Sequence, residues 1–241
     1  VSAMVHAPVS GTVTAVGDVI LHTNKVVPGI EIENDEQDTV HESCLPVTNP
    51  DRAAIVKAVQ AAGIVGMGGA TFPAHVKLQP PTDKKIELLI LNAAECEPFL
   101  TCDYRLLLEA GEQVLRGAEL LMSALGLQRC IIAVEDNKPV AIERMRTLVG
   151  ARAGMDVVAL KTHYPQGGEK QLIYALTGRE VPSGGLPMDV GCLVHNVGTA
   201  AAVADAVDRG RPLIERILTV SGDAVERPGN YRVRVGTPIR D

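Results

Sequence analysis

With 241 residues, 46% of them hydrophobic, the chain can bury a substantial core and is long enough for one large domain with one or two small ones. Its net charge of −6, with the basic residues scattered, excludes a groove built on phosphate neutralisation and so excludes nucleic acid as the expected partner. No apolar run approaches the roughly 20 residues that cross a bilayer, so membrane association has to come through partner proteins.

The first residues carry none of the marks of a signal peptide and read as the middle of a strand. Residues 1–48 read as a small β-rich unit: VHAPVSGTVTAVGDVI alternates with turn residues at Pro8, Ser10, Gly11 and Gly17. An acidic, polar stretch from Glu31 to Pro50 reads as a linker. From residue 49 to 212 strands and helices alternate. The helices are expected over Asp51–Ala62, Asp103–Leu125, Pro139–Val149 and Glu169–Leu176, and the strands over Leu88–Asn92, Cys130–Val134 and Met155–Lys161. That alternation predicts an α/β fold with a mainly parallel, Rossmann-like sheet covered by helices, whose ligands lie beyond the carboxyl ends of the strands. Residues 213–241 alternate again between apolar positions and Gly or Pro turns, as in a small β module.

The functional signal centres on GIVGMGGATFPAHVKL, residues 63–78. Gly66, Gly68 and Gly69 lack a Cβ, so the backbone can approach a flat or phosphorylated ligand closely. Pro73 can open a short helix that carries Lys77 about one turn in, and amides, a helix start and a lysine suit a phosphate. The competing reading is a C-cap and tight turn. LLILNAAECEPF ends a strand pattern in Asn92, Glu95 and Glu97, a second glycine pair precedes Glu169, and Asn196 and Thr199 stand at a further helix start.

Five cysteines, an odd number with no C-x-x-C, specify neither a disulfide framework nor a cluster motif and are expected to be buried small hydrophobes. The six histidines, His22 among them, show no ligand spacing, so no metal is expected. His195 is expected to act as a hydrogen-bonder at a helix start.

GMGGATFPAHVKL, LILNAAECEP, IAVEDNKP, YPQGGEKQLIYALTGREVPSGGLP, HNVGTAAAV and SGDAVERPGNYRVRVGTPIRD, in this order, closely resemble the RnfC family. These are peripheral subunits of Rnf electron-transport complexes, similar in turn to the NADH-oxidising flavoprotein of respiratory complex I. The resemblance implies non-covalent FMN, NADH as substrate, and hydride exchange that needs no catalytic acid or base. It also implies a place on the cytoplasmic side of a bacterial inner membrane, with other members of the complex as partners and ferredoxin reached indirectly. It assigns Gly66, Gly68 and Gly69 to the flavin and nicotinamide nucleotide, and Phe72 to the nicotinamide wall. Lys77, Asn196 and Thr199 fall to the FMN phosphate, Asn92 and Glu95 to ribityl or ring contacts, and Glu97, Gly168 and Glu169 to the far wall.

By the same resemblance, residues 213–241 begin a β-grasp-like, SLBB-type module, and the ligands of two 4Fe-4S clusters belong to a further region absent from this sequence. HAPVSGTV also looks like the start of a biotinyl or lipoyl carrier, but Lys25 lacks the displayed hairpin setting, leaving a barrel-sandwich-like unit without a swinging arm. Thr71 stands where RnfC-like sequences commonly carry glycine. Compared with the flavoprotein of complex I, Met67 replaces an arginine and Lys170 a carboxylate. Two other readings stay open: a soluble relative such as a cobalamin reductase, and a docking module without flavin.

Overall fold

The computed structural model describes residues 2–21 and 23–238; Val1, His22 and residues 239–241, with the expectations that fall on them, lie outside the described residues. The chain opens with an antiparallel ribbon of β1 (Gly11–Ile20) and β2 (Val26–Asn34), with a bulge between Val13 and Ala15. Val16, Ile20, Val26 and Ile30 leave one face of this ribbon apolar and exposed. The barrel-sandwich-like unit expected here is thus a two-stranded ribbon among the described residues, and β2 runs into the stretch read as a linker.

The centre is a four-stranded parallel sheet in the order β5-β4-β3-β6, formed by β3 (Leu88–Ala93), β4 (Cys130–Glu135), β5 (Met155–Leu160) and β6 (Cys192–Asn196). Its inner strands are apolar runs up to Asn92 and Glu135 near their carboxyl ends, as a sheet buried on both faces requires. On one face pack α1 (Arg52–Ala61), α3 (Cys102–Leu125), α4 (Pro139–Val149) and α6 (Val197–Arg209), around Leu89, Leu91, Leu107, Leu115, Ile132 and Val203. The opposite face holds a smaller core of Leu88, Ile90, Ile131, Leu172 and Val194, closed by α5 (Glu169–Thr177).

Connections run outward from β3 through β4 to β5 and then return to β6 on the other side of β3. The strand order therefore reverses between β3 and β6, the point in an open α/β sheet where a crevice forms at the carboxyl ends. Asn92 and Asn196 are in-register partners at that edge.

β6 is the strand absent from the sequence-based expectation. CLVHN is five residues long and runs directly into a helix, so the mostly apolar stretch from 192 to 207 hides the change of period from two to 3.6. The last two strands, β7 (Glu215–Val220) and β8 (Gly229–Arg234), form an antiparallel hairpin. It docks on the start of α3: the Thr101 amide donates to Thr219 Oγ1 at 3.1 Å, and Asn230 Nδ2 donates to Thr101 Oγ1 at 3.0 Å. No helix among the described residues is long and apolar enough to cross a membrane.

Candidate functional site

A cleft of about 540 Å³ opens at the reversal point, between the carboxyl edge of the sheet and the β7–β8 hairpin. Gly68, Gly69, Asn92, Glu95, Glu97 and Asn196 line it from the α/β side, and Arg216, Leu218 and Thr219 from the hairpin. Six of the twelve residues expected at the site are thus brought together. Gly66, Phe72, Lys77, Gly168, Glu169 and Thr199 stand outside the lining.

The glycine loop begins where α1 ends. Asp51 caps that helix by accepting from the Ala54 amide at 2.8 Å, Ala62 closes it, and Gly63 turns the chain at φ +66°. The Gly66 amide donates to the Phe72 carbonyl at 2.8 Å, pinching residues 66–72 into a loop that leads into α2 (Ala74–Lys77). Gly69 holds φ +122°, and a Cβ there would project into open space. Among the described residues the amides of Gly68 and Gly69 have no protein acceptor. A cleft-lining loop whose backbone donors have no protein acceptor fits a nucleotide. Thr71 sits at φ +49°, a left-handed conformation that a β-branched residue adopts at a cost of about 1–2 kcal/mol.

Each side chain expected at the site has a definite place. Asn92 donates to the Gly167 carbonyl at 2.9 Å and accepts from the Ala94 amide at 3.0 Å, tying the second glycine loop to the end of β3. A Cβ on Gly167 would lie 2.8 Å from the Ala94 carbonyl oxygen, so only glycine allows this approach. Glu95 is buried, and its two oxygens accept from the Asp103 and Tyr104 amides at 2.8 and 2.9 Å, capping the start of α3. Asn196 caps α6 through the Gly198 amide at 2.8 Å and donates to Asp103 Oδ2 at 2.6 Å.

Thr199 is fully buried and accepts from the Met67 amide at 2.9 Å, so its hydroxyl holds the glycine loop. Lys77 donates to Glu169 Oε1 at 3.1 Å and to the Val194 carbonyl at 2.8 Å, bridging α5 and β6. Gly168 begins α5, and Phe72 is 41% exposed. Lys170 donates to the Pro182 carbonyl at 3.1 Å.

His195 departs from its expected role: it is a strand residue, buried, with Nε2 lacking a partner, and burial beside Lys77 pushes its pKa down to about 3. Cys44, Cys96 and Cys102 are only partly buried, in contrast to Cys130 and Cys192.

Three residues of the cleft escaped the sequence reading. Asp103, in the first turn of α3, has its carboxyl pushed up to about 7 by burial and by the neighbouring Glu95 charge, against the Asn196 hydrogen bond. Cys102 is pushed up to about 11 by burial and by Asp103 and Glu95. Glu95, Cys102 and Asp103 offer ligand atoms within 4.8 Å of one another, although both Glu95 oxygens already cap α3. The third is Arg216 of β7, which donates to the Met67 carbonyl and is held below its ordinary pKa by burial, with Asp103 opposing. Asp103 was legible as an acidic residue at a helix start. Arg216 lies some 150 residues from the loop it meets, and no local pattern signals such a contact.

Residues 59–205 match the Nuo51 FMN-binding domain family. The whole chain is 49% identical to the C component of the proton-translocating ferredoxin:NAD(+) oxidoreductase complex of Clostridium ljungdahlii, covering 53% of that protein. It is 48% identical to the C component of the Na(+)-translocating ferredoxin:NAD(+) oxidoreductase complex of Acetobacterium woodii, covering 55% of it. It is also 45% identical to the C component of the ion-translocating oxidoreductase complex of Pseudomonas aeruginosa, covering 32%. The chain therefore spans about half the length, or less, of these curated relatives.

Among solved structures, 78% of the chain superposes with 38% of a chain of an NAD+-reducing [NiFe]-hydrogenase in the H2-reduced state, with a TM-score of 0.63 and 29% identity. The air-oxidised state of such an enzyme gives 0.66 and 28% over 78% of this chain and 37% of that one. The chain belongs to the Nuo51 FMN-binding domain family, and over its whole length it is similar to the RnfC group.

Proposed function

We propose that the cleft binds FMN non-covalently and admits NADH, and that the chain serves as the flavin-bearing part of an RnfC-type protein. The observation that carries this reading is that Gly68 and Gly69, whose amides have no protein acceptor among the described residues, line a cleft at the strand-order reversal. When bound, FMN supplies the exchange between two-electron hydride chemistry with NADH and one-electron release.

The protein's own residues bind and orient. The Gly68 and Gly69 amides are the open donors, Asn92 holds the second glycine loop against β3, and Asn196 holds Asp103 at the cleft floor. Glu95 and Glu97 form the acidic wall. Among the expected phosphate contacts, Thr199 already serves the Met67 amide, and Lys77 has to exchange Glu169 for phosphate. Gly66 and Phe72 shape the loop through their own hydrogen bond, and Gly168 with Glu169 starts the helix behind the second loop. No side chain is assigned an acid or base role in the hydride step.

In this reading electrons pass onward to 4Fe-4S clusters outside this sequence. The protein sits peripherally on the cytoplasmic face of a bacterial inner membrane, among the other members of an ion-translocating complex, and reaches ferredoxin indirectly. The name of the curated relatives' complex and the FMN-binding domain match support that assignment.

Titration of the 241-residue chain with FMN, followed by anaerobic NADH, tests it. Saturable one-to-one binding and bleaching of flavin absorbance by NADH are expected. Absence of binding at millimolar FMN removes the flavin assignment, and binding without bleaching removes NADH as the donor.

A further inference from the structure

We infer that Arg216, from the β7–β8 hairpin, is a positioning residue for the glycine loop and through it for the nucleotide; the second half of this inference rests on the FMN reading above.

The loop's central residue, Met67, is held on both sides of its backbone. Its amide donates to Thr199 Oγ1 at 2.9 Å, from the first turn of α6. Its carbonyl accepts from Arg216 Nη2, from a different part of the chain. These two bonds fix the peptide planes on either side of Met67, and the plane on the carbonyl side carries the Gly68 amide. The Met67 side chain packs at the same place, since a Cβ on Gly198 would lie 3.3 Å from Met67 Sδ. The direction in which the bare Gly68 donor points is therefore set in part by a guanidinium 149 positions further along the chain.

The setting of Arg216 separates it from an ordinary surface arginine. It is half-buried in the cleft wall, and among the described residues it has no carboxylate oxygen within 4 Å, whereas its hairpin neighbours Arg232 and Arg234 pair with Glu215 and Asp38. The groups whose charge acts on it include Asp103 and Cys102, both at the start of α3, and Glu215 and Arg232 line the same cleft. A guanidinium that gives a hydrogen bond to a loop carbonyl and no ion pair to a carboxylate is placed for geometry. A charged donor to a carbonyl is also stronger than a neutral one, which suits holding a loop that contains three glycines.

The hairpin has a separate anchorage, at Thr219 and Asn230 on Thr101. Docking of the hairpin and clamping of the loop can therefore be disturbed independently, and this permits a decisive test. Amide exchange is followed in the flavin-free 241-residue chain over a peptide spanning residues 63–72, and over the α3 core at 114–122, for the wild type, Arg216→Ala, Arg216→Lys and Thr219→Val. FMN dissociation constants are measured on the same four proteins.

Arg216→Ala is expected to speed exchange in 63–72 about tenfold, leave 114–122 unchanged, and raise the FMN dissociation constant about tenfold. Arg216→Lys restores part of both, and Thr219→Val leaves loop exchange as in the wild type. Unchanged loop exchange in Arg216→Ala overturns the clamp, as does equal acceleration of loop and α3 core. A looser loop with unaltered FMN affinity overturns the positioning role. If the wild type binds no FMN, the function proposed above fails, and the exchange measurement alone still decides whether the clamp exists.

Discussion

Asp103 shows how one residue's environment turns into a measurable property of the protein. Its carboxyl has a pKa of about 7 in the folded chain against an ordinary 3.8, chiefly because burial penalises the charged form. Between about pH 4 and pH 7 the folded state therefore keeps a proton that the unfolded state has released. By linkage, stability falls as pH rises through that window and levels off above it. Asp103→Asn retains an acceptor for Asn196 and removes the titration, so the variant is expected to be more stable than the wild type at about pH 8 and close to it at about pH 4.5. Thermal melts of both proteins across this range check the sign; a difference that grows toward low pH contradicts it. The same carboxyl lies in the proposed nucleotide cleft, where perturbed groups are expected to concentrate.

Among the helices, α3 and α6 both border the cleft, with Asp103 and Asn196 at their two N-termini. The helices meet backbone to backbone at Gly117: a Cβ there would lie 1.9 Å from the Ala200 carbonyl oxygen. Gly117→Ala forces the axes apart and is expected to cost about 3 kcal/mol, the upper part of the overpacking range, or about 6–12 °C in melting temperature for a chain of this size. Ser123→Ala, on the exposed side of the same helix, is expected to change the melting temperature by less than about 2 °C. A Gly117→Ala melt within that same margin would show that the two helices are not packed this closely.

At this scale the sequence was legible wherever a period held for long enough. The stripe Leu107, Val114, Leu115, Ala118 and Leu121 marks α3, and the apolar runs at 88–93 and 130–135 mark two inner strands. β6 was hidden because its five residues merge with the apolar start of α6. Asn92 and Asn196 could be placed at strand and helix ends from local signals, but their pairing across the sheet edge is long-range information. Lys77 and Thr199 looked like free donors because the partners that engage them lie 92 and 132 positions away.

Over the whole molecule, the cleft joins two parts that the sequence reads as separate units, with walls from both the parallel sheet and the β7–β8 hairpin. A ligand that touches both walls stabilises both, by an amount set by its concentration relative to its dissociation constant, about 2.7 kcal/mol at a hundredfold excess. The β1–β2 ribbon is differently placed: none of its residues lines the cleft, and the segments flanking it are tied to the remainder by His6 Nε2 with the Ala61 carbonyl and by Arg234 with Asp38. Saturating FMN is therefore expected to slow amide exchange at residues 65–69 and 92–97 and also at 215–219, while exchange within 11–20 and 26–34 stays as it was. Protection confined to the α/β side would mean that the hairpin wall is not part of the nucleotide site. Protection that extended equally through the ribbon would mean that the molecule responds to the ligand as one cooperative unit, with no local closure around the cleft.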